Sequence, residues 1–129
     1  MLRVKSVTSP IDKEEDGFRI LATRFRGRGL PADRYDAWVA SLGPSEELLT
    51  RYVAGDLSWT AFGREYVREL RTPSPVDEGN HTIRNHGQKF TLRLIKALAE
   101  RQDVTLLCHC AEESTTCHRF LLQREILRS

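Results

Sequence analysis

Val104-Thr105-Leu106-Leu107-Cys108 decides how this chain folds. The run is short, nearly all apolar, and bounded by Gln102-Asp103 before it and His109 after it. Such a run reads as a β-strand buried on both faces, because a strand with one wet face alternates polar and apolar residues. Helical patterns flank it. Phe90, Leu94, Ile95 and Leu98 recur at helical spacing upstream. A last helix starting near Cys117 carries Phe120, Leu121, Leu122, Ile126 and Leu127. A buried strand between helices implies a parallel or mixed sheet in a layered α/β domain.

The N-terminal part supplies two more strands. Arg3-Val4-Lys5-Ser6-Val7 alternates polar and apolar, and Ser9-Pro10 ends it. Acidic residues follow (Asp12, Glu14, Glu15, Asp16), and Asp16-Gly17 is a turn signal. Phe18 onward reads as a second strand, with Phe18, Ile20 and Ala22 on one face. Arg24 to Leu30, with its glycines and arginines, reads as a loop.

The middle of the chain reads as helical. Asp33 is placed to cap a helix whose apolar face is Tyr35, Trp38, Val39 and Leu42, stopped by Gly43-Pro44. Ser45 caps the next, with Glu46 and Glu47 facing the positive end of its dipole. Ser58 caps a third with the stripe Trp59, Phe62, Tyr66 and Leu70, which reads as core. Residues 72–87 are a polar stretch with two prolines, two glycines and two histidines, longer than a plain connection. The expectation is one compact layered α/β domain over residues 1–129. Strands near 3–7, 18–24 and 104–109 should lie side by side in a small parallel or mixed sheet covered by helices. The pattern does not order the strands.

Composition agrees with a soluble domain. The chain has 129 residues, 40% of them hydrophobic and 29% charged. A chain of this size buries roughly two-thirds of its unfolded surface, so it needs neither metal nor disulfide to fold. The net charge of +2 is too even to imply nucleic-acid binding by itself. The arginines Arg19, Arg24, Arg26 and Arg28 do lie close together, and arginine grips phosphate or carboxylate well. The three cysteines all fall between positions 108 and 117. With no apolar signal or membrane span, they point to free thiols in a reducing cytoplasm.

The chemically densest stretch is Cys108-His109-Cys110-Ala111-Glu112-Glu113-Ser114-Thr115-Thr116-Cys117-His118-Arg119. It joins the end of the buried strand to the start of a helix, where ligands bind in open α/β sheets and where unpaired N–H groups suit an anion. A helix start and an adjacent cation also lower a thiol pKa, so Cys110 or Cys117 is a candidate thiolate. Ser114, Thr115 or Thr116 would cap the helix. His118 and Arg119 would then sit unfavourably at its positive end unless an anion or Glu112 offsets them. Three readings compete: inert core cysteines, a thiol- and arginine-lined anion site, and a zinc site from Cys108, Cys110, Cys117 and His109 or His118. Eight residues separate Cys110 from Arg119, too many for the phosphate loop of a cysteine phosphatase. The ligand types suit zinc, but Cys-x-Cys is tight and strand alternation puts His109 opposite the cysteines. No metal and no cofactor are therefore expected.

The sequence resembles the bacterial and archaeal family called domain of unknown function 488 (DUF488) over nearly its whole length. The likeness rests on Asp16-Gly17-x-Arg19-Ile20-Leu21 with Arg24 and Arg28-Gly29, on Asp36-x-Trp38, and on Pro44-Ser45-x-x-Leu48. Trp59-x-x-Phe62-x-x-x-Tyr66-x-x-Glu69-Leu70, Val104-Thr105-Leu106-Leu107 and Cys117-His118-Arg119 complete it. The resemblance implies a compact α/β domain in a cytosolic protein and supplies no activity. The 72–87 stretch and the Cys108-His109 pair depart from the commoner pattern.

The leading expectation is a pocket for a small phosphate-like or carboxylate anion. Arg24, Arg26, Arg28 and Arg119 would bind it, Cys110 or Cys117 would be the thiolate, and His118 or Glu112 would carry the proton. The alternative is a non-catalytic interaction or nucleic-acid-binding module using the arginine loop and residues 72–87.

Overall fold

The computed structural model describes residues 1–77, 79, 81–82 and 87–129. Four strands, β1 (Leu2–Ser6), β2 (Phe18–Leu21), β3 (Ala37–Trp38) and β4 (Val104–Cys108), form one sheet in the order β1-β4-β2-β3. Every pairing is parallel. The central strand is the apolar run identified from sequence. All five of its residues are buried, with Val104 opposite Leu2 on one side and Phe18 on the other.

Four helices form, α1 (Glu46–Val53), α2 (Trp59–Arg71), α3 (Lys89–Arg101) and α4 (His118–Leu127), and the first two follow the expected caps. Ser45 Oγ accepts from Leu48 N and Ser58 Oγ from Ala61 N, as capping requires. The Glu69 carboxylate of α2 takes both the N–H and the hydroxyl of Ser45, tying the start of α1 to α2. The α2 stripe is core: Phe62, Tyr66 and Leu70 are buried, while Trp59 is half-buried.

The two sheet faces are covered differently. Val104, Leu106 and Ile20 join a cluster with Leu48, Phe62, Leu70, Leu92, Ile95, Leu122 and Ile126, so all four helices pack on this face. The cluster on the other face, Val7, Leu21 and Leu107, is covered by Leu30 and Tyr35 and includes no helical residue. Polar residues fill the rest of that face. Thr105 Oγ1 donates to the Asp16 carbonyl at 2.7 Å, and buried Arg19 pairs with Asp16. Loops, rather than a second helical layer, therefore complete the burial of β4.

The helix expected from Asp33 to Leu42 does not form. Short 3-10 turns at Ala32–Arg34 and Ala40–Leu42 flank β3 instead. Asp36 N donates to Arg19 O at 2.8 Å and Val39 N to Leu21 O at 2.9 Å. Trp38 Nε1 reaches Thr23 O at 2.7 Å. A ladder along the β2 edge thus satisfies the backbone, and tertiary pairing overrides a local helical pattern hemmed in by Pro31 and Gly43-Pro44. The α3 face also differs from expectation: Leu92 and Ile95 are buried, whereas Phe90 and Leu94 face outward. Of the long polar stretch at 72–87, positions 78, 80 and 83–86 lie outside the described residues. Gln88 N donates to Leu70 O at 2.7 Å, so the stretch returns to the end of α2.

Candidate thiol site

Because β1, β2 and β4 run parallel, their carboxyl ends open on one edge of the sheet. Cys108 is the last residue of β4, and Cys117 is the residue preceding α4. The strand ends before His109. The turn that follows folds Cys110 back toward both other cysteines, and the three sulfurs all lie within 4.8 Å of one another. The thiol of Cys117 is 3.1 Å from Cys108 Sγ. Cys108 and Cys117 are buried and Cys110 is half-buried.

Arg119 organises this turn from within. It is 1% exposed. Its Nη2 donates to the carbonyls of Glu112 at 2.9 Å and Ala111 at 3.2 Å, and its Nη1 contacts Cys108 Sγ at 3.1 Å. The Glu112 carboxylate lies 3.6 Å from Nη1 and accepts Ser6 N–H at 2.7 Å, closing the end of β1. Carbonyls and a carboxylate thus offset the unfavourable position of a cation at the start of α4. No side chain caps that helix, so Ser114, Thr115 and Thr116 do not take the role expected of them.

His118 is fixed equally well. Its Nε2 is 2.6 Å from Ala22 O. A carbonyl only accepts, so the proton resides on Nε2 and the Nδ1 lone pair is free. Nδ1 lies 4.0 Å from Cys117 Sγ. Burial pushes the imidazole below its ordinary pKa. His109 turns the opposite way, as strand alternation required, and its Nε2 meets Phe25 O at 3.0 Å.

The thiols differ in acidity. Hydrogen bonding with Cys108 and then Cys117, aided by nearby His118 and Arg119, holds the Cys110 thiol well below the ordinary range despite partial burial. Its two partners shift upward, chiefly because they serve as the donors.

Cys110 opens on a small pocket of about 150 Å³ lined by Thr23, Arg24, Phe25, Pro44, Leu49, His109 and His118. Apolar walls dominate, and Arg24 is the cation of the lining. Its guanidinium is steadied by Gly43 O at 2.7 Å and Pro44 O at 3.3 Å. Gly43 is required there because a β-carbon would fall 2.2 Å from Arg24 N.

Of the residues anticipated from sequence, Arg24, Cys110 and His118 meet at the pocket. Cys117 and Arg119 stand directly behind it, and Glu112 clasps Arg119. Arg26 and Arg28 do not converge: Arg26 Nε donates to the Tyr35 hydroxyl at 2.6 Å, and Arg28 is exposed. Sequence reasoning grouped Cys108 with the other two cysteines only as a zinc ligand and left it out of the anion pocket, and it missed the Phe25, Pro44 and Leu49 walls. No residue type or spacing in those segments signals a pocket.

The fold and this site define a parallel α/β domain with a thiol cluster at the carboxyl edge of its sheet. The family model DUF488-N3a, described as the active DUF488-N3 subclade, matches residues 2–129. The chain therefore belongs to DUF488. No curated protein matches it, and no solved structure does. Among the described residues, no helix is long and apolar enough to cross a membrane.

Proposed function

We propose that the protein is a thiol enzyme in which Cys110 attacks a small anionic electrophile held in the pocket at the ends of β2 and β4. One observation carries this reading: Cys110, the least buried of three thiols clustered within 4.8 Å, lines the pocket, with Cys108 and Cys117 buried. Arg24 pairs with an anionic group of the substrate, phosphate- or carboxylate-like, and the apolar walls accept its short carbon body. In the step itself a new bond forms from sulfur to the electrophilic carbon or phosphorus. The bond to the leaving group breaks, and that group departs with the electron pair, protonated by solvent at the pocket mouth. Hydrolysis of the thioester or thiophosphate by water restores the thiolate.

Glu112 and His118 act in this scheme as positioning residues, since the hydrogen of His118 is committed to Ala22 O and Glu112 is held by Ser6 N and Arg119. Three free thiols this close suit a reducing compartment such as the cytoplasm. The description of the subclade as active is in keeping with a chemical step.

Competitive alkylation tests the reading. At neutral pH, limited iodoacetate should modify Cys110 before Cys108 or Cys117, as read by peptide mass mapping. Iodoacetate should outpace neutral iodoacetamide relative to free cysteine, and Arg24→Ala should abolish that preference. Added phosphate should slow the reaction. Equal labelling of the three cysteines, or none, overturns the proposal.

A further inference from the structure

We infer that Cys108, Cys110 and Cys117 form a three-sulfur seat for a thiophilic metal ion of the zinc class, with His118 Nδ1, 4.0 Å from Cys117 Sγ, beside it to supply a fourth donor. The inference rests on the same thiols as the proposed nucleophile and adds a regulator to it.

Geometry is the first argument. Zinc–thiolate bonds of about 2.3 Å place two sulfurs of a tetrahedral site about 3.8 Å apart. Here the three sulfurs already lie within 4.8 Å of one another. One pair, Cys108 and Cys117 at 3.1 Å, needs only a small opening. Those two cysteines come from the end of a central strand and the start of a helix, so the seat is anchored on rigid elements. Cys110, on the turn, is the member free to adjust. The sequence argument against zinc rested on the tight Cys-x-Cys spacing and on His109 facing away from the cysteines. β4 ends at Cys108 and the turn brings Cys110 back within reach, while His118 rather than His109 stands beside Cys117.

The surroundings are the second argument. Metal-binding imidazoles characteristically donate their other N–H to a carbonyl or carboxylate, which fixes the ring and its tautomer. His118 does this through Ala22 O and leaves Nδ1 unprotonated on the thiol side. Three thiolates around a divalent ion leave one excess negative charge, and Arg119 Nη1 stands 3.1 Å from Cys108 Sγ to balance it. Each thiol still protonated releases its proton to solvent as its metal–sulfur bond forms, with no change of oxidation state. An ion so held takes the Cys110 lone pair, and the loaded protein cannot attack an electrophile.

The test uses the full reduced chain. Titration with Co(II) should give thiolate-to-cobalt charge-transfer absorption saturating at one equivalent, and Zn(II) should displace it. Elemental analysis after desalting should find one zinc per chain. Cys110→Ser and Cys117→Ser should each weaken zinc binding roughly tenfold or more. Cys110 is half-buried, so its variant carries the test if Cys117→Ser fails to fold, with circular dichroism as the check. Zinc should also block alkylation of Cys110. Absence of both the charge-transfer band and retained zinc overturns the seat, as does a band undiminished in folded Cys110→Ser. Fast Cys110 alkylation without metal binding refutes the seat and leaves the nucleophile standing. Metal binding with a sluggish Cys110 does the reverse.

Discussion

The imidazole of His109 lies over Gly27, so close that a β-carbon there would fall 2.6 Å from the ring Cε1. Gly27 also has φ +95°, a conformation that side-chain-bearing residues rarely adopt. Gly27→Ala should therefore force the ring off Phe25 O and strain the turn, costing about 1–3 kcal/mol in urea unfolding. Gly29, with φ +77° and nothing within 4 Å, carries only the backbone part of that cost. Gly29→Ala should be clearly milder, and equal losses would show that the His109 contact is immaterial.

This pair also shows what the sequence could and could not reveal. Composition marked the Arg-Gly-Arg-Gly segment as a loop, but nothing local tied it to a histidine beyond β4. Strands β1, β2 and β4, the Ser45 and Ser58 caps and the α2 stripe were legible because propensity and periodicity act over a few neighbours. Residues 33–42 carried a helical pattern that the β2 edge overrode, and that competition is settled only by long-range pairing. In the site, the cysteines and Arg119 were identifiable by type. Their arrangement was not, because it depends on where β4 ends and how the turn from His109 to Thr116 folds back. Arg119 was expected to face a ligand, and its guanidinium is instead engaged by carbonyls of that turn.

Phe62 and Trp59 should respond unequally to truncation, although they belong to one stripe and their rings stack with centroids 5.5 Å apart. Phe62 is 2% exposed and sits within the main cluster, so Phe62→Ala should cost about 3–5 kcal/mol. Trp59 is half-buried at the cluster edge and leaves a smaller void. Denaturant midpoints should show Trp59→Ala retaining at least half of the stability that Phe62→Ala loses. A larger loss for Trp59 would mean that the stripe packs in another register.

Arg119 should be indispensable to folding of the thiol turn. Arg119→Ala removes a buried cation from two close carbonyls and from the Glu112 carboxylate, and by analogy with broken buried ion pairs it should cost about 3–5 kcal/mol. Arg119→Lys should recover little, because an ammonium cannot span Cys108, Glu112 and both carbonyls as the planar guanidinium does. Thermal unfolding of the two variants decides this. Near-native stability for Arg119→Lys would reduce the role of Arg119 to that of a point charge.

Asp16 should give the protein a specific acid sensitivity. Burial alone would raise its carboxyl pKa. The backbone N–H of Asp12, hydrogen bonds from Lys5 and the charges of Lys5 and Arg19 outweigh burial, and the net shift is below the ordinary value. A carboxylate whose folded pKa is depressed stabilises the fold in full above its unfolded pKa, about 3.9 for aspartate. That stabilisation drains away as pH falls through the lower folded value, because the unfolded chain takes up the proton first. Asp103, drawn down by its hydrogen bond to Arg3, has the same sign, but its exposed surface pair is screened by salt. Asp16→Asn keeps the shape and removes the charge. It should melt lower than the parent at neutral pH, and the gap should narrow steadily below about pH 4 in moderate salt, where the parent loses the same charge. Melting curves that stay parallel from neutral to strongly acidic pH would show that the Asp16 carboxylate contributes nothing to stability through its charge.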